Sequence, residues 1–375
     1  MLRRAAAALA VPTSTRRPTL ASLPLRRIAS SATNRPPTLA HPATQPSRTA
    51  TTTAAVTPLS PWRTHTPAPD ASPSTPLVYT FYHDPTATWT YLVVDPDTRH
   101  CAVIDSVLDC DPASRTVSTT TADALVAFIH QQHLTVDHIL ETHAHADHLT
   151  AAAYLQLRLS TPADDIDAPS TSPSRVVPIG AHSGMRSTQA HFAQLYDVPA
   201  AELDTAFDAL YDEGDQVRVG ALTGVVWHLP GHTQCSAGYV FGDSVFTGDS
   251  VLLPPTGTAR ADFPLGSPSA LFSSTQRLLA LAPNVRLFSG HSYPLAGASN
   301  LCSATVAQQR ALNPHVHDGV DEQGFVKMRS ERDQGLSEPR LLHQSLQVNI
   351  RAGRLPRGAN GQPYFRTPLH APTVL

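Results

Sequence analysis

Residues 141–150 read ETHAHADHLT, and the spacing inside that stretch restricts the fold more than anything else in the chain. His143, His145, Asp147 and His148 fall within six positions. Three imidazoles so close repel one another when protonated and have no packing reason to converge, whereas neutral imidazoles converge on a cation. In an extended segment His143 and His145 project to the same side, and Asp147 and His148 follow at the entrance of the next predicted helix. One loop thereby presents donors to two adjacent metal positions.

Three later residues end predicted strands in glycine-containing settings: His232 in PGHT, Asp249 in TGDS and His291 in SGHS. Glycine lets the backbone approach closely and frees the neighbouring side chain to point into a site. Seven donors from four strand-end loops make a specific signal. The remaining histidines, among them His182, His191 and His228, read as surface or hydrogen-bonded residues.

The elements between the donors alternate. TWTYLVVDPDTRHCAVIDSV predicts two strands joined by a turn at Asp95–Thr98. Thr121 is a candidate cap for the helix ADALVAFIHQQH, and VDHILE is a short buried strand leading into the histidine loop. A helix is expected from near Leu149. RVVPIGA and TGVVWHLPGH read as strands, AGYVFGDSVFTGDSV as a hairpin pair, and VRLFSGHSY as a last strand. Ser267 and Pro268 open a further helix as cap and first-turn proline. Paired strands separated by helices predict a layered α/β domain with sheets sandwiched between helices.

Composition sets limits around that domain. The net charge of −3 gives no pull toward nucleic acid or membrane surfaces, and no apolar run approaches the roughly 18–20 residues that span a bilayer. The four cysteines form no CxxC, which fits free thiols in a reducing compartment. Residues 1–69 contain nine arginines and no acidic residue and are rich in Ala, Pro, Ser and Thr. Such a leader resembles an organelle transit peptide. The organisation expected is a disordered leader over 1–75, a catalytic domain over 76–357 with a short C-terminal extension, and a tail over 358–375. A chain starting near Ser72 is expected to fold, and residues 160–174 read as an inserted surface loop. The destination expected is the mitochondrial matrix, with the cytoplasm as the alternative.

His143-x-His145-x-Asp147-His148, followed by His232, Asp249 and His291, resembles the metallo-β-lactamase fold superfamily in the order of its ligands. The resemblance implies a four-layer αββα sandwich with the site at one edge of the paired sheets. Asp105, in AVIDSV, matches the early aspartate that orients the metal loop. Two branches carry all seven residues: glyoxalase II, a dinuclear thioesterase, and the glutathione persulfide dioxygenases. GTARADFPLGS after Asp249 is similar to the dioxygenases' Gly-x-Gly-Arg-Thr-Asp-Phe segment, with Ala259 and Ala261 departing from it. TVAQQRALNPHV, GFVKMRSERD and SLQVNIRAG resemble the short dioxygenase C-terminus rather than the helical glutathione-binding domain of glyoxalase II.

The dioxygenase resemblance implies oxidation of glutathione persulfide by O2 to glutathione and sulfite at one Fe(II) per chain. His143, His232 and Asp249 are then the ligands, an arrangement that leaves open coordination positions. His145, Asp147, His148 and His291 support them or hold a second metal. The alternative is a hydroxyacylglutathione hydrolase with two Zn(II) per chain. Arg260, then Arg351, are candidates for the carboxylates of glutathione, and Tyr293 for the substrate or a ligand. Glutathione persulfide and O2 are the expected partners, with a homodimer as the assembly considered and neither nucleic acid nor membrane.

Overall fold

The alternation of side chains along β3 (Thr88–Val94) shows how the layers are built. Leu92 and Val94 join one buried cluster, and Trp89, Tyr91 and Val93 join another on the opposite face. β4 (His100–Ile104) repeats the pattern, with Cys101 and Val103 on one side and Ala102 and Ile104 on the other. A strand that buries both faces lies inside a sandwich.

The structure, a computed structural model, describes residues 56–68, 72–160, 175–294 and 298–369. Its first sheet has the order β1 (Arg63–His65), β2 (Leu77–His83), β3, β4, β7 (Thr135–Leu140), β9 (Ile179–His182), β10 (Ala209–Tyr211). A small sheet of β5 (Val107–Asp111), β6 (Thr116–Ser118) and β8 (Leu149–Thr150) stands beside it. The second large sheet runs β11 (Gln216–Val219), β12 (Leu222–His228), β13 (Ala237–Phe241), β14 (Ser244–Gly248), β15 (Arg286–Ser289), β16 (Ser303–Thr305).

Helices cover both outer faces. α1 (Thr120–Gln131), α2 (Ala152–Ser160), α3 (Met185–Tyr196), α4 (Ala200–Asp204) and α8 (Leu342–Asn349) pack on the first sheet through Leu125, Phe128, Leu155, Phe192, Leu203 and Leu346. α5 (Pro268–Leu279), α6 (Val306–Leu312) and α7 (Glu322–Asp333) cover the second through Leu271, Leu278, Val306 and Phe325. The sheets meet through Tyr91, Ile104, Val226, Tyr239, Phe246 and Phe288. The expected αββα sandwich is the fold.

Several local expectations change. Thr121 does not cap α1: its N–H and hydroxyl both donate to Asp109, at 2.9 and 2.7 Å. The helix after the histidine loop starts at Ala152, because Leu149 and Thr150 pair with β5 instead. Ser267 does cap α5, accepting the N–H of Ala270 at 3.3 Å. The leader boundary moves as well. Residues 63–65 form β1 against β2, and Trp62 packs its ring on Tyr82 and Trp89 at 6.0 and 6.1 Å. At the other end, Arg366 N–H donates to Gln347 at 2.9 Å and Phe365 packs on the core, so the stretch after 357 is docked. The leader through residue 55 and the insertion over 161–174 lie outside the described residues.

Candidate metal centre

Each donor leaves its strand end under a local constraint. β7 delivers Thr142, whose N–H and hydroxyl both donate to Asp105 at 2.8 Å. Asp105 sits at the end of β4 with a φ of 52°, a left-handed conformation that aspartate tolerates better than most residues. The loop that follows is held from two other places. Cys235 Sγ accepts the N–H of Ala144 at 3.3 Å, and Asn349 at the end of α8 donates to the carbonyls of His145 and His148 at 2.7 and 2.8 Å. Asp249 follows Gly248, whose φ is 49° and where a Cβ would lie 2.4 Å from the Thr142 hydroxyl. A Cβ on Gly290 would press to 2.6 Å from Asp249 Oδ1. The glycines flanking two donors are therefore required by close approach.

All five imidazoles obey one rule: one ring nitrogen is pinned by the protein and the other faces inward. His143 Nδ1 donates to Thr142 Oγ1 at 2.9 Å, and His145 Nε2 to Asp105 at 3.0 Å. His148 Nδ1 is 3.5 Å from Asp147, His232 Nδ1 donates to the Arg260 carbonyl at 2.7 Å, and His291 Nδ1 to the Ala87 carbonyl at 3.1 Å. This is how proteins fix the tautomer of metal-binding histidine.

The inward atoms cluster. Donor atoms of His143, His232 and Asp249 lie within 4.8 Å of one another, as do those of His145, Asp147 and His148. Asp249 Oδ2 is 4.0 Å from His143 Nε2 and 3.6 Å from both His232 Nε2 and His291 Nε2, so it also brings His291 to the cage. His143 Nε2, His145 Nδ1, His148 Nε2 and Asp249 Oδ1 are buried with no hydrogen-bond partner. An unsatisfied buried polar atom costs about 1–3 kcal/mol. Four in one cage fit a bound cation, which takes up those lone pairs.

The charge states of His143, His148 and Asp147 agree with that fit. Burial and the surrounding imidazoles hold His143 well below the usual histidine range, and burial with the neighbouring His145 lowers His148 to about 4. Both are neutral donors. Burial acts against ionisation of Asp147 too, but His291 and His148 outweigh it and keep its carboxyl well below the ordinary range. His145 differs: burial opposes its charge, yet Asp105 and Glu141 raise it well above the usual value. Its Nε2–H bond to Asp105 turns Nδ1 inward, and ligation there would displace the second proton.

The cage opens into a cleft of about 350 Å3, lined by Asp147, His232, Asp249 and His291 at its floor and by Leu252, Thr258, Arg260, Phe263, Tyr293, Arg329 and Arg332 among its walls. Phe263 stands edge-on to His232 at 5.2 Å, and half-exposed Tyr293 stacks on His291 at 5.5 Å. Arg260 reaches the wall, but its guanidinium forks onto Asp262 at 2.6 Å and donates to the Ser337 carbonyl. Arg351 does not line the cleft: it pairs with Glu202 at 2.7 Å and donates to the Gln347 carbonyl. His182 and His228 stack on each other at 4.0 Å and belong to neither donor group.

Sequence reasoning missed the supports. Arg329 and Asp333, buried and one turn apart on α7, pair with each other. Arg329 also donates to the Thr258 carbonyl, and Asp333 accepts the N–H of Ala261. Together they pin the 258–261 segment whose Arg260 carbonyl orients His232. Only the i, i+4 spacing of opposite charges signalled this pair, and that spacing is common on solvated helices.

Comparison with known proteins adds a family dimension. The family model described as metallo-beta-lactamase superfamily matches residues 83–291. The chain is similar to the beta-lactamase hydrolase-like protein of Xylella fastidiosa (strain 9a5c), 42% identical over 79% of this chain, and spans 65% of that longer protein. It is 38% identical to glyoxylase B2 of Dictyostelium discoideum, over 76% of this chain and 94% of that one. It is 26% identical to the mitochondrial persulfide dioxygenase ETHE1 of Mus musculus, over 76% and 91%. The crystal structure of ETHE1 from Myxococcus xanthus superposes with a TM-score of 0.57 at 26% identity, covering 74% of this chain and 99% of that one.

Proposed function

The chain belongs to the metallo-beta-lactamase superfamily, and from that footing we propose that it is a persulfide dioxygenase. It converts glutathione persulfide, O2 and water into glutathione, sulfite and two protons at a single Fe(II). The observation that carries this is the likeness to ETHE1 along 99% of the solved Myxococcus chain, together with a donor set of two imidazoles and a carboxylate. Fe(II) held by such a set would supply the oxygen and electron-transfer chemistry that an amino-acid side chain lacks.

The residues of the chain do the rest. His143 Nε2, His232 Nε2 and Asp249 hold the ion. Phe263 and Leu252 wall the cleft above the cage and keep bulk water from the reacting sulfur. Asp147 and His291 share a contact of 3.3 Å at the cleft floor, where the ionised carboxylate orients the imidazole beside the reacting centre.

A second reading is dinuclear thioester hydrolysis. Two observations favour it: the second donor group of His145, Asp147 and His148, and the 38% identity to a protein named glyoxylase B2. Metal analysis of protein purified without added metal, paired with an oxygen electrode, separates the two. One iron per chain and oxygen uptake that depends on glutathione persulfide and yields sulfite are expected. Brisk lactoylglutathione hydrolysis, without persulfide-dependent uptake in the iron-loaded protein, would overturn the proposal.

A further inference from the structure

Among the described residues, three arginines line the cleft, and two are engaged. Arg260 is forked onto Asp262 and bonded to the Ser337 carbonyl, and Arg329 is buried against Asp333 and the Thr258 carbonyl. Arg332 is different. It lies three residues beyond Arg329 on α7, is exposed, and lines the same cleft. Among the described residues, no hydrogen bond or ion pair engages its guanidinium. The acidic residues lining the cleft, Asp147 and Asp249, face His291 and the other imidazoles. Among the described residues of the outer wall, Arg332 is thus the guanidinium without a bonded partner, beside the apolar side chains of Leu336 and Pro339.

We propose that Arg332 is an anion subsite. It binds a carboxylate carried away from the reacting sulfur and so selects acidic thiol carriers, glutathione among them, over cationic ones. The inference rests on the reading that a thiol-borne substrate enters this cleft, and it replaces Arg260 as the carboxylate partner. A guanidinium with free donors offers a planar fork that matches a carboxylate in two hydrogen bonds. With the sulfur end fixed at the cage, a second anchor at the wall sets the carrier's orientation. Because the group is exposed, solvent and salt weaken the contact, and an effect of about tenfold is expected rather than a larger one. That contact is present equally in bound substrate and transition state, so the change falls on KM rather than kcat.

The test uses the full-length, iron-loaded protein and two persulfides, that of glutathione and that of cysteamine, which has an amine and no carboxylate. Arg332→Met is expected to raise KM for glutathione persulfide relative to cysteamine persulfide by about tenfold. Arg332→Lys restores part of the difference, Arg332→Glu enlarges it, and added salt shrinks the preference in the wild type. Equal changes for both persulfides, or no change for either, overturn the proposal. If the wild type consumes oxygen with neither persulfide, the dioxygenase reading fails separately. Calorimetric binding of glutathione itself then decides the subsite: about tenfold weaker binding by Arg332→Met supports it, and equal affinity or no binding by the wild type overturns it.

Discussion

Asp333 accepts the backbone N–H of Ala261 at 2.9 Å, and this one bond joins the last turn of α7 to the segment that orients His232. The same carboxylate neutralises buried Arg329. Asp333→Ala leaves a buried guanidinium unpaired, a change that costs about 3–5 kcal/mol. The milder Asp333→Asn is expected to lower the melting temperature and to weaken metal binding by about tenfold, since outer supports of a metal ligand carry that much affinity. Calorimetric metal titration of the folded variant checks it. Unchanged affinity would show that the Arg260 carbonyl keeps its place without Asp333.

Asn349 is the other remote support. Its side-chain amide donates to the carbonyls of His145 and His148 and accepts the N–H of Thr150. Asn349→Ala leaves buried backbone groups without partners, at about 1–3 kcal/mol apiece before relaxation. A loss of about 3 kcal/mol in urea unfolding is expected. A loss below about 0.5 kcal/mol, the size of an ordinary surface change, would count against the role.

Metal content separates the donors. His232→Ala is expected to lose metal and activity together, whereas His148→Ala keeps most of its iron when the site is mononuclear. Two zinc ions per wild-type chain, with one lost in His148→Ala, would favour the hydrolytic reading.

The segment before Ser72 is expected to matter for stability, contrary to its leader-like composition. Leu59 N–H donates to the Ala124 carbonyl at 3.0 Å, β1 extends the first sheet, and Trp62 covers Trp89. A chain beginning at residue 72 should lose about 2–4 kcal/mol against one beginning at residue 56, from lost apolar burial and edge pairing. Matching melting curves would refute this.

Stability is also expected to fall in mild acid through His315. Burial, then Arg329 and Arg332, lower it to about 4, and its Nδ1 accepts the N–H of Thr258 at 2.9 Å. The unfolded chain binds this proton near pH 6.5 and the folded chain only near 4. The unfolded state is therefore favoured progressively as pH drops from about 6.5 to about 4. His315→Gln removes this slope, which urea midpoints across that window would register.

What the sequence disclosed and what it hid follow from distance along the chain. The donors were legible because local signals carry them: alternation in 143–145, glycine beside Asp249 and His291, and hydrophobic strands leading into each. β3, β4, β13 and β14 were legible for the same reason. Arg351 was misplaced because a charge in a sequence has no direction, and Glu202, about 150 residues earlier, claims it. Thr121 was misread because Asp109 outcompetes the helix end for its hydroxyl. The three residues of β1 are too few for a period, and only the exposed edge of β2 makes them a strand.

The histidine loop is anchored by Asp105, Cys235 and Asn349, which come from a strand end, a neighbouring loop and a distant helix, and none of those anchors involves an ion. The loop is thereby shaped by hydrogen bonds of the chain's own residues. Imidazole and carboxylate donors discriminate weakly among divalent ions of the first transition row. A site built of such donors is shared among ions by their availability as well as by its own geometry, so the surroundings in which the chain folds have a part in the chemistry it performs.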